Sequence, residues 1–247
     1  MNKISSKASV FAAAILFWTS TPAQAGDSAI VQVMMIEFDP WNSVIGSDSP
    51  TFAMYDDGEV IFRTDGGYKS VRLAFERQSE IRNALSKIGE WKNYQSSTFT
   101  DQPTTVLAWN DKPSFRSLSI YGSLRRDKVR SKLPPSVIKA YDLLKNFDDT
   151  EARNWLPAKI EVMIWPYDYA PEPSIVWPRN WPGIEDPETI KRGDSYSIYL
   201  PSTYFEELKT FAASRHPRGA VEIGGKKWSL SWRFPFPGER TDEDTRP

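Results

Sequence analysis

Two stretches of this chain carry the same run of patterns, and that repetition constrains the fold more than any other feature. From Tyr196 to Phe236 the sequence reads as a strand (Tyr196–Leu200), a helix (Ser202–Ala213) and a hairpin folded about Gly224 and Gly225. From Val71 to Tyr121 it reads as a strand (Val71–Phe75), a helix (Ser79–Trp91) and paired strands about Asn110 and Asp111. Both predicted helices open on a serine, and both second hairpin strands contain Ser-Leu-Ser, at Ser117–Ser119 and Ser229–Ser231. Upstream, Gln32-Val33-Met34-Met35 leads to Asp39 at the spacing by which Glu161-Val162-Met163-Ile164 leads to Asp168. Two copies make a pseudo-symmetric pair, whereas a solenoid generally needs about three or more. The expected fold is therefore α+β: two related halves in tandem, each an antiparallel β-sheet with a packed helix, in the order strand, loop, strand, helix, hairpin.

The first 25 residues belong to neither copy. Lys3 and Lys7 precede an apolar run from Val10 to Trp18, and Ala23-Gln24-Ala25 follows. Charge, short apolar core and small-residue site, in that order, mark a secretory signal. The apolar run falls short of the roughly 20 residues that a membrane-spanning helix needs. Cleavage between Ala25 and Gly26, export to a periplasmic compartment and no integral membrane segment in the mature chain are expected. The chain has no cysteine, so no lipidated cysteine and no disulfide is open to it, and in an oxidising compartment the fold must stand on its core alone.

Taking those 25 residues from 247 leaves 222, enough for one large domain or two small ones. The expected division is 26–150 for the first half, 151–237 for the second and 238–247 for a disordered tail. Formal charge is −1, and losing the two leader lysines makes it −3. Nucleic acid and anionic membrane surfaces call for a basic excess, so neither is an expected partner. The basic run Arg125–Lys132 reads as a solvated loop, as short charge runs usually are.

Within the first half, Val31, Val33 and Met35 interleave with Met34 and Ile36, which leaves a strand apolar on most of both faces and places it centrally in a sheet. Asp56-Asp57-Gly58 lies between apolar runs and predicts a tight hairpin, since Asp and Gly tolerate the positive φ it demands. The strand Val71–Phe75 is expected to turn Val71, Leu73 and Phe75 inward. Ile81, Leu85, Ile88 and Trp91 form one helical stripe. A second helix starts at Pro134-Pro135 and carries Val137, Tyr141 and Leu144, with no counterpart in the later copy. In the closing hairpin, Trp228, Leu230, Trp232 and Phe234 alternate onto one buried face.

Pro171–Asp194 is the least ordinary stretch. Its prolines forbid a regular helix and hold the backbone to extended and turn conformations. Trp177, Arg179, Asn180 and Trp181 stand inside it with the composition of a recognition surface, because tryptophan and arginine dominate binding hot spots. These four are the candidate binding residues. The alternative is that Trp177 and Trp181 fold back over a sheet face as a lid.

Catalytic patterns are sparse. With one histidine, His216, and no cysteine, a His/Cys metal site is not available and a Ser-His-Asp triad would have to run through that residue. His216 sits between Arg215 and Pro217-Arg218 and reads as a solvated loop residue. No Gly-x-Ser-x-Gly, Walker or dinucleotide pattern occurs, so neither catalytic residues, nor a metal, nor a cofactor is expected. Asp39, Asp56, Asp57, Asp168 and Glu172 are the carboxylates from which a glycosidase pair would have to be drawn. The expected function is that of a periplasmic, non-catalytic binding protein, first an inhibitor or immunity-type protein that occludes a protein partner. The alternatives are a glycan- or peptidoglycan-binding module and a carboxylate-dependent hydrolase.

Overall fold

The computed structural model describes residues 29–44, 46–89, 92–111 and 114–238. The expected leader Met1–Ala25, Trp91 at the end of the first predicted helix, and the tail from Glu239 onward lie outside the described residues.

Among these residues the chain is α+β in two similar halves. The first contains β1 (Val31–Phe38), β2 (Pro50–Tyr55), β3 (Glu59–Thr64), β4 (Gly67–Arg72), α1 (Phe75–Ser86), β5 (Asn93–Gln95), β6 (Thr104–Asp111) and β7 (Ser114–Tyr121). It continues through α2 (Asp127–Arg130) and α3 (Pro135–Lys145) to β8 (Arg153–Trp155). The second contains β9 (Lys159–Pro166), β10 (Glu172–Val176), β11 (Ile190–Arg192), β12 (Ser195–Pro201), α4 (Phe205–Ala213), β13 (Gly219–Ile223) and β14 (Lys226–Arg233). The first sheet runs β5-β7-β6-β1-β2-β3-β4-β8 and the second β10-β13-β14-β9-β12-β11. All pairs are antiparallel except β5 with β7 and β10 with β13, one parallel pair at the same edge of each sheet. The 150/151 division falls just ahead of β8, which pairs with β4, so the first sheet runs on to Trp155.

The doubly apolar β1 is central, between β2 and β6, and β9 holds the matching place between β12 and β14. Val33 and Met35 in β1 and their counterparts Val162 and Ile164 in β9 are all fully buried. The order strand, loop, strand, helix, hairpin recurs in both halves, but the spatial places are not the same. In the first half the leading hairpin strand β6 lies against the central strand, with β7 outside it. In the second half the trailing strand β14 lies against the centre, with β13 outside. Leu118 on β7 and Leu230 on β14 share a sequence motif without sharing a position. The strand before the helix differs too, since β12 adjoins β9 whereas β4 is three strands from β1.

Two local expectations are corrected. Helix α1 starts at Phe75, not Ser79, with Ala74 as its extended N-cap, and Gln78 Nε2 donates to the Leu73 carbonyl at 2.9 Å. Phe75 is thus the exposed first residue of a helix, with the Arg82 guanidinium 5.6 Å from its ring centroid, and not an inward strand residue. Ser79 falls inside α1. Ser202 opens a 3-10 turn ahead of α4 and donates its hydroxyl to the Pro157 carbonyl, so neither serine caps a helix. The tight turns follow their glycines: Gly58 has φ +86° with its N–H on the Tyr55 carbonyl, and Gly224 and Gly225 have φ +59° and +75°. Positive φ is what glycine supplies at little steric cost.

Two apolar clusters hold the fold. One lies between the first sheet and the helices α1 and α3: Val33, Met35, Phe52, Met54 and Phe62 meet Ile81, Leu85, Val137, Tyr141 and Leu144. Phe147, just past α3, sets its ring edge-to-face against Phe52 and Phe62 at 5.3 and 4.9 Å. The other joins the opposite face of the first sheet (Val31, Ala53, Tyr55, Ile61, Tyr68) to Ile160, Val162, Ile164, Leu208, Trp228 and Leu230 of the second half. Strand β2 is buried along its whole length because it feeds both clusters, Phe52 and Met54 one way, Ala53 and Tyr55 the other. The segment after β14 stitches the halves together. Phe234 and Phe236 stand edge-on to Tyr68, and the Tyr55 hydroxyl donates to the Pro237 carbonyl at 3.2 Å.

Candidate functional site

The prolines shape the 177–182 turn as expected and turn both indoles inward. Trp177 and Trp181 are only 6% and 7% exposed. They meet edge-to-face at 4.9 Å, and both pack on Phe211 of α4 at 5.6 and 5.5 Å. Trp177 Nε1 donates to the Pro182 carbonyl at 2.9 Å, so its polar tip is spent within the loop. That is the lid geometry. Arg179 and Asn180, between the two indoles, remain exposed. The four predicted site residues are therefore split, two in the core and two at the surface.

A different set of aromatic side chains is exposed together. The central strands β1 and β9 each end on an aromatic stretch that bears a proline: Phe38-Asp39-Pro40-Trp41 across the end of β1, and Trp165-Pro166-Tyr167-Asp168-Tyr169 across the end of β9. These segments hold the matching places of the two copies, and they form the two lips of a cleft of about 470 Å³. Pro40, Asn42 and Ser43 line it from the first half; Trp165, Tyr167 and Tyr169 line it from the second. Ser229 of β14, opposite Trp165 in the ladder, and Arg215 and Pro217 of the loop after α4 complete it. Trp165 is 46% exposed, Tyr169 82%, and Trp41, next to Pro40, 75%. Large aromatics are mostly buried, so Trp165 and Tyr169 exposed in one cleft stand out.

The backbone explains why the rings stay out. Ile160, Val162 and Ile164 use the inward face of β9, so period-2 alternation sends Trp165 to the face that carries Glu161 and Met163. Beyond Pro166 the chain turns, with Tyr167 N–H on the Lys227 carbonyl and Ala170 N–H on the Tyr167 carbonyl, which sets Tyr167 and Tyr169 edge-to-face at 5.3 Å. The opposite lip is held by Asp48, whose Oδ1 accepts from Asn42 Nδ2 at 2.7 Å and from the Asp39 N–H at 3.2 Å. Burial is the main cause that raises the Asp48 carboxyl above its usual value, with Asp39 adding to it and these two hydrogen bonds and Arg233 opposing. Ser229 Oγ donates to the Ser43 carbonyl at 3.2 Å and ties the lips together.

Beneath the first-half loop lies a buried ionic group. Glu161 accepts from Ser197 Oγ at 2.7 Å, with Arg233 Nε 3.0 Å from Oε2 and Arg192 Nη2 3.5 Å from Oε1. Burial, and secondarily the Glu161 charge, push the Tyr199 phenol upward. The group is an internal brace, because Arg233 also reaches the Asp48 carbonyl at 3.4 Å.

None of the five carboxylates named from the sequence lines the cleft, and Asp168 is exposed beside it in sequence. Asp56 accepts from the Ile30 N–H, and Asp57 from the Glu59 N–H and Arg72, as turn residues. Asp39 caps its own turn through the Trp41 N–H, and Glu172 is engaged by Arg218. Part of the basic run is also structural: Arg130 forks onto Asp142 at 3.0 and 2.6 Å, and Lys132 donates to the Ser96 carbonyl at 2.9 Å. His216 is exposed in its loop. Among the described residues no group of three or more His, Cys, Asp or Glu side chains is placed to hold a metal ion, and no helix is long and apolar enough to cross a membrane. Comparison with known protein families, with curated proteins and with solved structures finds no match.

Proposed function

We propose that this chain is an exported, non-catalytic binding protein, and that the cleft between the two post-strand loops is its recognition surface, fitted to a glycan. One observation carries the proposal: Trp165, Tyr167 and Tyr169 share a concave face with Asn42, Ser43 and Ser229. Asparagine and serine both donate and accept hydrogen bonds. A sugar presents the complementary mixture, with apolar ring faces for the aromatic rings and hydroxyls for the amide and the serines. Binding pockets typically combine apolar walls with a few placed polar groups, and the lining here includes no carboxylate that would serve hydrolysis. Export rests on the leader pattern of Met1–Ala25; the amino terminus of the mature protein should be Gly26.

Occlusion of a protein partner is the second reading, and the exposure of Trp41 and Tyr169 favours it. Both are more exposed than Trp165, and Trp, Tyr and Arg are the residues that carry hot spots. Co-sedimentation with purified peptidoglycan separates the two. Retention of the wild-type protein and loss of retention in Trp165→Ala support the glycan; a wild-type protein that stays in the supernatant but forms a stable complex with a periplasmic protein supports occlusion.

A further inference from the structure

Among the described residues, the cation that lines the cleft, Arg215, has no ion pair with an acidic side chain. Arg215, half-buried in the loop after α4, donates Nη1 to the Gly219 carbonyl at 2.8 Å. Its Nε is shut off from solvent with no acceptor. Among the described residues Nη2 likewise has no acceptor, on a side chain that lines the cleft. Glu172, which stands in register with Gly219, is already committed: one oxygen accepts the Arg218 N–H at 2.6 Å and the other lies 3.6 Å from Arg218 Nε. A partly desolvated guanidinium with only a carbonyl for company is costly unless an anion pairs with it.

Resting on the glycan reading, we propose that the sugar bound here bears a carboxylate, and that Arg215 receives it. One uncompensated positive charge matches a monoanion, and the planar guanidinium matches the planar carboxylate. A phosphate monoester, carrying close to two charges, would call for a second free cation, and Arg218 is engaged by Glu172. Trp165, Tyr167 and Tyr169 then hold the ring to which the carboxylate is attached, while Asn42 and Ser229 address its hydroxyls. The carboxylate arises either as a uronic acid or as the lactyl ether of a muramic acid. Both place it on the sugar ring or one short ether away.

Titration calorimetry on the full mature protein tests this with two pairs of probes. One pair is an oligomer of alternating N-acetylglucosamine and N-acetylmuramic acid, and the same oligomer with its carboxylates reduced to alcohols. The other is a uronate-containing oligomer and its reduced form. The acid form of one pair should bind at least about tenfold more tightly than its reduced partner, the scale of a charge-assisted hydrogen bond. Arg215→Gln should abolish that difference between the acid and the reduced form. Because Arg215 also braces Gly219, the acid-against-reduced comparison on wild-type protein decides the matter if the variant melts early. Equal binding of acid and reduced forms overturns the role of Arg215 and leaves the glycan reading standing. Binding of none of the four, with an acidic peptide such as hexaglutamate bound in an Arg215-dependent way, overturns both and points to a protein partner.

Discussion

Arg233 stands directly opposite Glu161 in the ladder between β14 and β9, with its Nε 3.0 Å from Glu161 Oε2 and both side chains largely out of solvent. The pair sits where the two halves meet, since the same guanidinium reaches the Asp48 carbonyl of the first-half loop. Breaking one side of a buried ion pair strands the other charge at a cost of about 3 to 5 kcal/mol. Glu161→Gln should therefore lower the unfolding free energy in urea by about that much. The double change Glu161→Leu with Arg233→Met should cost clearly less than the sum of the two single changes. Simple additivity would mean that the two side chains act independently.

Asp48 supplies a pH dependence of opposite sign to that of an ordinary paired carboxylate. Burial raises its folded-state value above the unfolded one, so its contribution to stability is fully present below the unfolded value of about 3.9 and is lost as pH rises through the folded value. Asp48→Asn retains an acceptor for Asn42 and the Asp39 N–H while removing the charge. The variant should gain on the wild type as pH is taken from 3.5 to 7, an order-of-magnitude window around that shift, in paired denaturation curves. A variant that instead falls behind with rising pH would show that Arg233 and the hydrogen bonds outweigh burial.

The edge that carries β10 depends on a missing side chain. A Cβ on Gly219 would lie 2.5 Å from the Pro173 carbonyl oxygen, a backbone atom that cannot move without parting β10 from β13. Gly219→Ala should cost about 1 to 3 kcal/mol, as overpacking does. Gly183→Ala is the control, since nothing lies within 4 Å of its added carbon and its change should stay within about 0.5 kcal/mol. Equal melting temperatures for the two variants would remove close packing as the reason for glycine at 219.

How far the sequence reached follows from which signals are local. Alternation in Val31–Met35 and Trp228–Phe234, the helical pair Ile81-Leu85 and the Asp57-Gly58 turn each depend on a few neighbouring residues, and each is where the pattern puts it, whereas α1 ends at Ser86 and leaves Ile88, still buried, beyond the helix. The start of α1 was not legible because Leu73-Ala74-Phe75 suits a strand as well as a helix entry, and the side-chain hydrogen bond from Gln78 to the Leu73 carbonyl decides between them. Which hairpin strand lies beside the centre is a choice of pairing, and Ser-Leu-Ser is compatible with both. The cleft was partly legible. The matched spacing from Met35 to Asp39 and from Ile164 to Asp168 marked the two loops as equivalent, without marking their aromatic residues as a site. Exposure was the missing term, because composition alone cannot distinguish the buried Trp177 from the half-exposed Trp165.

That distinction yields the sharpest test, on two pairs of tryptophans. Trp177 and Trp181 are buried against Phe211, whereas Trp165 lines the cleft and Trp41 lies in sequence between its lining residues Pro40 and Asn42, both with much of their surface in water. Truncating a buried indole forfeits its transfer energy and leaves a cavity, about 3 to 5 kcal/mol each, so Trp177→Ala with Trp181→Ala should melt early and fold poorly. Truncating Trp41 and Trp165 removes little buried area and should leave the melting temperature nearly unchanged. If the cleft is the recognition surface, that second pair should weaken binding by about 2 kcal/mol or more, the scale of hot-spot truncations. The quantities to measure are melting temperature and retention on peptidoglycan for both double variants. Retention unchanged in the Trp41 and Trp165 variant would sink the cleft as the site. Were the Trp177 and Trp181 variant to remain stable and lose binding instead, recognition would belong to the 177–182 turn, with Arg179 and Asn180 as its exposed residues.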